Sequence, residues 1–195
     1  MLTVTMCTGN EGKFRTAQEH LAPWGIDVEQ VVLDLDEIQT TSVAAIAQHK
    51  AQQAFHILQR PVFVEDSGFY IDEFNGWPGP MVKHALEAIG PHGFTHLADL
   101  TRTRACRFAS AAVYADADGQ LHTFADDTRS PGTIAPAPDR GNSPRSWSDL
   151  WSIFIPDGAS TTLAALPAEE QHRLYSEWGT SSVVATMGEW LAQSQ

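Results

Sequence analysis

Hydrophobic and polar positions divide the first half of the chain into short strands and amphipathic helices. Residues 2–7 have the apolar pattern of a strand, and a turn separates them from a helix predicted from Glu11 to about Leu21, just before Pro23. The same patterns predict the next three elements: an apolar run over 28–35, a helix that Ser42 can cap and that reaches about Leu58, and a buried strand over 61–64 that ends at Glu65-Asp66-Ser67-Gly68.

The helix after Ser42 carries a cation on its apolar side. Lys50 lies in the middle of the predicted inward stripe, where burial of an unpaired ammonium is unfavourable by several kcal/mol. Lys50 therefore either has a partner or a ligand, or extends its charge to the rim of the helix. The pattern leaves both alternatives open. The stripe itself comprises Val43, Ile46, Ala47, Ala54 and Ile57.

The second half predicts a hairpin and more helices. Strand patterns over 105–114 and 120–125 flank Asp116-Ala117-Asp118-Gly119, a strong turn signal. Helical stretches are predicted over about 81–89, 93–100, 167–176 and 180–192, with a proline-rich loop over 135–145. Strands and helices that alternate around a hairpin predict an α/β fold, a single domain over 1–195 with a mixed sheet flanked by helices.

Composition and charge exclude several classes of protein. The 195 residues have a formal net charge of −12 and only 12 lysines and arginines, so a nucleic acid polymer is not expected as a partner. Apolar runs are too short for a membrane span, and the first residues lack the pattern of a signal peptide. Cys7 and Cys106 are expected to be buried free thiols in a cytoplasmic protein, although a disulfide stays open.

The turn Thr8-Gly9-Asn10 between the first strand and helix is a candidate phosphate site. A glycine turn at a helix N-terminus presents backbone N–H groups and the positive end of the helix dipole. Asn10 adds an amide donor and Lys13 a mobile cation. An ordinary capping turn explains the same residues.

Carboxylates provide the second candidate. Glu65 and Asp66 follow a buried strand, the place where α/β folds put ligand chemistry. Magnesium prefers one or two carboxylates together with substrate phosphate oxygens. With Glu37 these side chains can hold Mg2+ and orient an attacking water, whereas the alternative is a set of ordinary turn acids.

The order of the motifs resembles that of the inosine triphosphate pyrophosphatase family, which removes non-standard purine nucleotides such as ITP, dITP and XTP. The resemblance is clear over residues 1 to about 90. It is carried by Thr8–Lys13, Asp34–Gln39, Lys50, Val64–Phe69 and Gly76–Lys83.

The resemblance implies a fold and a set of roles. It implies an elongated mixed sheet, a homodimer and Mg2+-dependent hydrolysis of a nucleoside triphosphate to its monophosphate and pyrophosphate. Asp66 would be the general base, and Lys13 would neutralise charge on the reacting phosphates. By position, the triphosphate would be bound by Thr8, Asn10, Lys13, Lys50, Ser67 and Lys83, and magnesium by Glu37 and Asp66.

The base-recognition motifs of the family are altered. The aromatic residue that stacks on the base is best matched by Trp147, and the Asp at the base edge by Asp149. Where the family has Lys and Ser-His-Arg, this chain has Gln171 and Ser176-Glu177-Trp178, with His172-Arg173 in another helical register. Trp151 and Trp178 are further candidates for stacking, or else core residues.

These departures predict a retained reaction with altered base specificity. A polar pocket selects a base by its donors and acceptors, and the donors that suit a 6-oxo group are replaced here. Two alternatives stay open: a non-catalytic protein that senses or sequesters a nucleotide, and a triphosphatase that acts on a biosynthetic nucleotide.

Overall fold

The computed structural model describes residues 2–126, 130–142 and 148–194, which form an α/β fold with a mixed, open sheet and flanking helices. This confirms the predicted fold class. The strands are β1 (Leu2–Cys7), β2 (Ile26–Val31), β3 (Val62–Ile71), β4 (Pro78–Gly79), β5 (Ala105–Ala115), β6 (Leu121–Asp126), β7 (Pro131–Ile134) and β8 (Phe154–Pro156). The helices are α1 (Glu11–Leu21), α2 (Val43–Leu58), α3 (Val82–Ala98), α4 (Ala168–Thr180) and α5 (Val183–Gln193).

Parallel and antiparallel pairs combine in this sheet. The strand order is β2-β1-β3-β5-β7-β8, with β4 paired to β3 and β6 paired to β5. β1 is parallel to β2, from Leu2 opposite Ile26 to Cys7 opposite Val31, and it is also parallel to β3. The β5–β6, β5–β7 and β7–β8 pairs are antiparallel. The parallel register brings the carboxyl ends of β1 and β2 together, and the candidate phosphate turn follows β1.

The chain divides into two compact units. The first unit comprises residues 1–67, 110–126 and 177–195. Its core lies between the β1–β2 pair, α1 and α5, where the apolar side of each helix faces the strands. Fully buried side chains in this core include Met6, Leu21, Phe63 and Met187.

The second unit comprises residues 68–109 and 127–176. Its core is aromatic: the ring of Phe69 packs edge to face against Phe94, Phe108 and Phe154, with centroids 5.1 to 6.4 Å apart. The predicted break between two helical stretches lies within α3, where Gly90 has a φ of 62° and non-helical geometry. That residues 1–195 form one domain stays a prediction.

Three details of the predicted elements are wrong. The apolar run over 28–35 leaves the sheet after Val31, and Val32 is 68% exposed. Ile57 is 55% exposed, and Ala51 takes its place in the buried stripe of α2. The strand predicted to end at residue 64 continues to Ile71, so residues 65–68 lie within β3.

Both cysteines are buried and free, as expected. Burial raises the pKa of the Cys7 thiol, and burial followed by the nearby carboxylates of Asp72 and Asp157 raises that of Cys106. Within the described ranges, no helix is long and apolar enough to cross a bilayer.

Candidate active site

The turn after β1 is shaped by a chain of short hydrogen bonds. The Thr8 amide donates to the Val31 carbonyl at 3.0 Å, and the Asn10 amide donates to Thr8 Oγ1 at 3.1 Å. Asn10 Oδ1 then accepts from the Lys13 amide at 3.0 Å and caps α1. Asn10 is therefore a capping residue, and its Nδ2 group remains the donor that the family resemblance assigns to a phosphate.

Lys13 extends from the first turn of α1 to β3. Its Nζ lies 3.0 Å from Glu65 Oε2, 3.2 Å from the Glu65 carbonyl oxygen and 3.9 Å from Asp66 Oδ1. The Lys13 side chain is 17% exposed, and those of Glu65 and Asp66 are 13% and 14% exposed. Burial is favourable for such charges only when partners of this kind are present.

Lys50 reaches the same carboxylate, Asp66, from α2. Its Nζ lies 3.0 Å from Asp66 Oδ2 and also forms an ion pair with Glu37. Of the two alternatives for Lys50, the structure shows the one with a partner: its side chain is 20% exposed, and its ammonium contacts two carboxylates.

These five side chains, Lys13, Glu37, Lys50, Glu65 and Asp66, are called the charged cluster below. All of them belong to the first unit. Burial would lower the pKa of Lys13, but the carboxylates of Glu65 and Asp66 outweigh it and raise this pKa. Burial likewise disfavours the Lys50 ammonium, and Asp66 and Glu37 raise its pKa. Both lysines therefore stay protonated at neutral pH.

Ser67 adds a rigid contact to the cluster. Its backbone amide donates to Asp66 Oδ1 at 2.8 Å, while Lys50 binds Asp66 Oδ2. Both oxygens of Asp66 are thereby oriented, and the half-buried Ser67 side chain lies directly beside the carboxylate in sequence. A fixed carboxylate of this kind suits either a metal ligand or a base.

The oxygen donors in the cluster fit a magnesium ion. Carboxylates are the ligands that Mg2+ prefers, and one or two of them are enough when phosphate oxygens and waters complete the octahedron. In the described part of the chain, no group of three or more His, Cys, Asp or Glu side chains is arranged to hold a metal by itself. The donor set therefore fits a metal that arrives with phosphate ligands, rather than a closed structural site.

The remaining predicted residues lie in the second unit or outside the described ranges. Lys83 is exposed in the first turn of α3. Asp149 is 52% exposed and pairs with Arg140, with Oδ1 and the guanidinium nitrogen 2.9 Å apart. Trp147, the predicted stacking residue, lies outside the described residues.

Two other candidates of the base region are buried. Trp151 is 4% exposed, and its ring packs against Tyr175 at a centroid distance of 5.3 Å, so it is a core residue and not a stacking face. Gln171 is 3% exposed and donates from Nε2 to the Leu163 carbonyl at 2.7 Å. His172 and Arg173 are exposed on α4.

Two glutamines around the cluster were not identified from the sequence. Gln30 donates from Nε2 to the Thr8 carbonyl at 2.9 Å, and Gln53 hydrogen-bonds the backbone of Asp36. Only their positions in the sequence could have indicated these contacts: Gln30 lies on the strand paired to β1, and Gln53 lies about one turn after Lys50. The sequence makes Glu65 a candidate metal ligand, and in the structure its side chain pairs with Lys13.

Comparison with known proteins is consistent with the motifs. The model of a family described as the Ham1 family matches residues 4–180. A protein from Methanopyrus kandleri named dITP/XTP pyrophosphatase is 36% identical over 93% of this chain and 98% of its own length. Inosine triphosphate pyrophosphatase 2 of Trypanosoma cruzi is 38% identical over 88% of this chain and 84% of its own length.

Solved structures agree on the fold. The structure of a nucleoside-triphosphatase, or dITP/XTP pyrophosphatase, from Mycobacterium abscessus has a TM-score of 0.69 at 21% identity and covers 92% of this chain and 96% of its own. The Ham1 protein of Staphylococcus aureus has a TM-score of 0.67 at 17% identity, with coverage of 99% and 100%. At these identities the likeness concerns the fold alone.

Proposed function

The chain belongs to the Ham1 family, and we propose from this premise that it is a magnesium-dependent nucleoside triphosphate pyrophosphohydrolase. Its products would be a nucleoside monophosphate and pyrophosphate. Pyrophosphatase activity on a nucleoside triphosphate is supported by the names of relatives at 36% and 38% identity. The observation that carries the proposal for this chain is the charged cluster, in which two lysines contact three carboxylates and every member except Glu37 is at most 20% exposed.

The lysines would bind the triphosphate. In the structure each ammonium contacts two carboxylates, Lys13 with Glu65 and Asp66, and Lys50 with Glu37 and Asp66. The cluster has a net charge of −1, from two ammoniums and three carboxylates. A triphosphate alone would be repelled by the three carboxylates, so it needs further positive charge beside it. A magnesium ion held by Glu37, Asp66 and phosphate oxygens would supply that charge and neutralise the anionic transition state.

Asp66 would act on the water. One of its oxygens is fixed by the Ser67 amide and the other by Lys50, so the carboxylate is held in one orientation. In that orientation it would accept a proton from the water as the water oxygen bonds to the α-phosphorus. The bond from the α-phosphorus to the oxygen that bridges it to the β-phosphate would then break, and its electron pair would leave with pyrophosphate. Lys13 and Lys50 would also bind phosphate oxygens as negative charge develops.

The N-terminus of α1 would complete the phosphate end of the site. Thr8, Asn10 and the positive end of the α1 helix dipole would together bind phosphate oxygens. Ser67 would donate its hydroxyl to a phosphate oxygen. Lys83 and Asp149 keep their predicted roles in binding substrate, as does Trp147.

The base specificity is proposed to differ from a preference for ITP or XTP. Gln171, which stands where the family has a cationic lysine, donates instead to the Leu163 carbonyl within the fold. An uncharged amide that binds a buried backbone carbonyl does not replace the cationic donor that a 6-oxo group would receive from a lysine. Cytoplasmic location and a homodimer are further predictions, of which the dimer is tested by light scattering coupled to size-exclusion chromatography.

A nucleotide panel tests the proposed function. ITP, XTP and the common NTPs and dNTPs are incubated with the protein in Mg2+ and in EDTA, and pyrophosphate and orthophosphate are assayed separately. We expect Mg2+-dependent pyrophosphate with an equal amount of monophosphate. Orthophosphate as the first product, or nucleotide binding without turnover for every nucleotide, would contradict the proposal.

A further inference from the structure

Glu37 lies on a stretch of chain that has no regular structure of its own. Residues 32–40 form neither helix nor strand, between the end of β2 and the start of α2. The Glu37 side chain is 45% exposed, the most exposed carboxylate of the charged cluster. A segment of this kind depends on side-chain contacts for its position.

Gln53 supplies such a contact in a two-point form. Its Oε1 accepts from the Asp36 amide at 3.0 Å, and its Nε2 donates to the Asp36 carbonyl at 2.8 Å. One side-chain amide thus satisfies both backbone groups of the residue next to Glu37, as a neighbouring strand would. The two bonds also determine which side-chain atom is oxygen and which is nitrogen.

The helix that carries Gln53 also carries Lys50. The two residues are three positions apart on α2, so their side chains are neighbours on the helix surface. Lys50 binds the Glu37 carboxylate, and Gln53 binds the backbone beside it. α2 therefore holds Glu37 both through its charge and through its main chain.

We propose that Gln53 is a positioning residue that fixes the segment 34–37 so that the Glu37 carboxylate is available to the metal. The inference rests on the proposed function, because it assumes that Glu37 is a metal ligand. Groups that orient metal ligands from outside the coordination shell commonly change metal affinity by about 10- to 100-fold when removed. Removal of Gln53 should weaken metal binding and leave the chemical step intact.

The variant Gln53→Met removes both hydrogen bonds to Asp36, together with a longer one to the His49 carbonyl, and keeps the length of the side chain. Its matched control is Gln52→Met, which makes the same change at the adjacent, exposed position of α2. Mn2+ binding is measured by electron paramagnetic resonance, with inorganic tripolyphosphate as a base-free stand-in for the nucleotide. We expect the dissociation constant of Mn2+ to rise about tenfold for Gln53→Met and to stay unchanged for Gln52→Met.

Kinetics separate positioning from a general structural effect. For Gln53→Met, the Mg2+ concentration at half-maximal rate should rise about tenfold, while kcat at saturating Mg2+ stays within about twofold of wild type. A fall in kcat that saturating Mg2+ does not restore, with an unchanged Mn2+ affinity, would overturn the inference. If Gln53→Met does not fold, Gln53→Glu keeps an acceptor for the Asp36 amide and should give the same direction of change.

A double variant distinguishes failure of this inference from failure of the proposed function. Glu37→Gln alone should weaken Mn2+ binding, and Gln53→Met added to it should weaken binding no further, since the positioned ligand is already lost. If Glu37→Gln weakens binding and Gln53→Met does not, Gln53 is no positioning residue and the proposed metal site stands. If Glu37→Gln leaves Mn2+ binding unchanged, the assignment of Glu37 is wrong and the inference is overturned with it.

Hydrogen exchange gives a readout without metal. The Asp36 amide is protected by Gln53 Oε1 in the wild type. Its exchange should accelerate at least tenfold in Gln53→Met, whereas the amides of α2 keep their protection. Equal protection of the Asp36 amide in both proteins would overturn the inference.

Discussion

The two compact units use their polar side chains in different ways. In the first unit, the residues predicted for phosphate and metal contact one another: Lys13 and Lys50 both reach Asp66. In the second unit, the residue predicted at the base edge and the residue that replaces the family's lysine have other partners. Asp149 pairs with Arg140 at the surface, and Gln171 binds the Leu163 carbonyl in the interior.

This difference follows from the physics of buried charge. Two lysines and two carboxylates that are at most 20% exposed, with the more exposed Glu37 beside them, are often no more stabilising than apolar residues of similar size. Their presence points to a ligand that needs them. The buried glutamine and tryptophan of the second unit, in contrast, are uncharged and have partners within the fold, Leu163 and Tyr175. We therefore propose that the charged cluster is the catalytic site and that base recognition in the second unit has changed.

The largest expected effect is at Asp66. Asp66→Asn keeps the shape of the side chain and removes the charge that would hold metal and accept a proton. We expect kcat to fall about 100-fold or more, the usual loss for a positioned base or metal ligand. Steady-state pyrophosphate release measures it, and circular dichroism checks that the fold is retained.

A matched change in the second unit is the control for Asp66. Asp149→Asn makes the same substitution in a carboxylate that is 52% exposed and paired with Arg140. If Asp149 contacts the base, its loss should alter KM or selectivity more than kcat. Near-normal turnover by Asp66→Asn would show that the cluster is not the catalytic site.

A smaller effect is expected at Lys50. Lys50→Met would remove one proposed phosphate ligand, and kcat/KM should fall about tenfold or more. The raised pKa of Lys50 means that its charge stabilises the folded state at all pH values below the ordinary lysine pKa, and that this stabilisation is lost as pH rises through the folded value. At pH 7 the variant should therefore also be less stable in thermal unfolding. A variant that is more stable and has unchanged kinetics would show that Lys50 has a structural role and does not bind substrate.

The sequence predicted the elements and the charged residues of the first unit because their signals are local or periodic. Ser42 caps α2 by accepting from the Ala45 amide, as its position before the apolar run indicates. Lys50 was identified because a charge interrupted an apolar stripe. The order of motifs then led to the family, although the site roles of these residues stay predictions.

The parts that the sequence did not predict depend on tertiary contacts. β3 continues through Glu65 to Gly68 and ends only at Ile71. A hydrophobic pattern alone cannot show that such a polar stretch remains in a sheet. Nothing in the helix pattern distinguishes Gln53, because its partner Asp36 lies 17 positions away in sequence. Similarly, Glu65 resembles a metal ligand in sequence, and only the structure pairs it with Lys13.

The next prediction concerns selectivity between bases. The cationic donors of the family are replaced at Gln171 and at Ser176-Glu177-Trp178, so kcat/KM for ITP should differ from that of the best other nucleotide by less than about tenfold, roughly 1.4 kcal/mol, or favour the other nucleotide. Competition between pairs of nucleotides measures this ratio directly. A preference of several hundredfold for ITP or XTP over ATP and GTP would contradict it, and His172→Ala and Arg173→Ala would then show which residue reads the base.

The smallest effect is expected at a paired carboxylate of the first unit that lies outside the charged cluster. Asp116 Oδ2 is 2.7 Å from His122 Nε2, and Oδ1 accepts from the amides of Asp118 and Gln120. The hydrogen bond from His122, followed by those of the backbone, lowers the pKa of Asp116. Because the folded pKa is depressed, this carboxylate stabilises the fold above the ordinary aspartate pKa, and the stabilisation is lost as pH falls through the folded value.

Asp116→Asn therefore tests whether ion pairing by itself makes a carboxylate important for turnover. The variant should unfold about 1 to 2 °C below the wild type at pH 6, in keeping with a partly exposed pair, and the difference should shrink as pH falls from 5 to 3. Pyrophosphate release at neutral pH should stay within about twofold of wild type, against about 100-fold or more for Asp66→Asn. A large loss of turnover in Asp116→Asn with an unchanged unfolding temperature would mean that carboxylates important for catalysis also lie outside the charged cluster. If the prediction is confirmed, the two paired carboxylates of this compact unit differ in their effect on turnover. The reason is that Asp66, unlike Asp116, lies between two lysines that can bind a triphosphate.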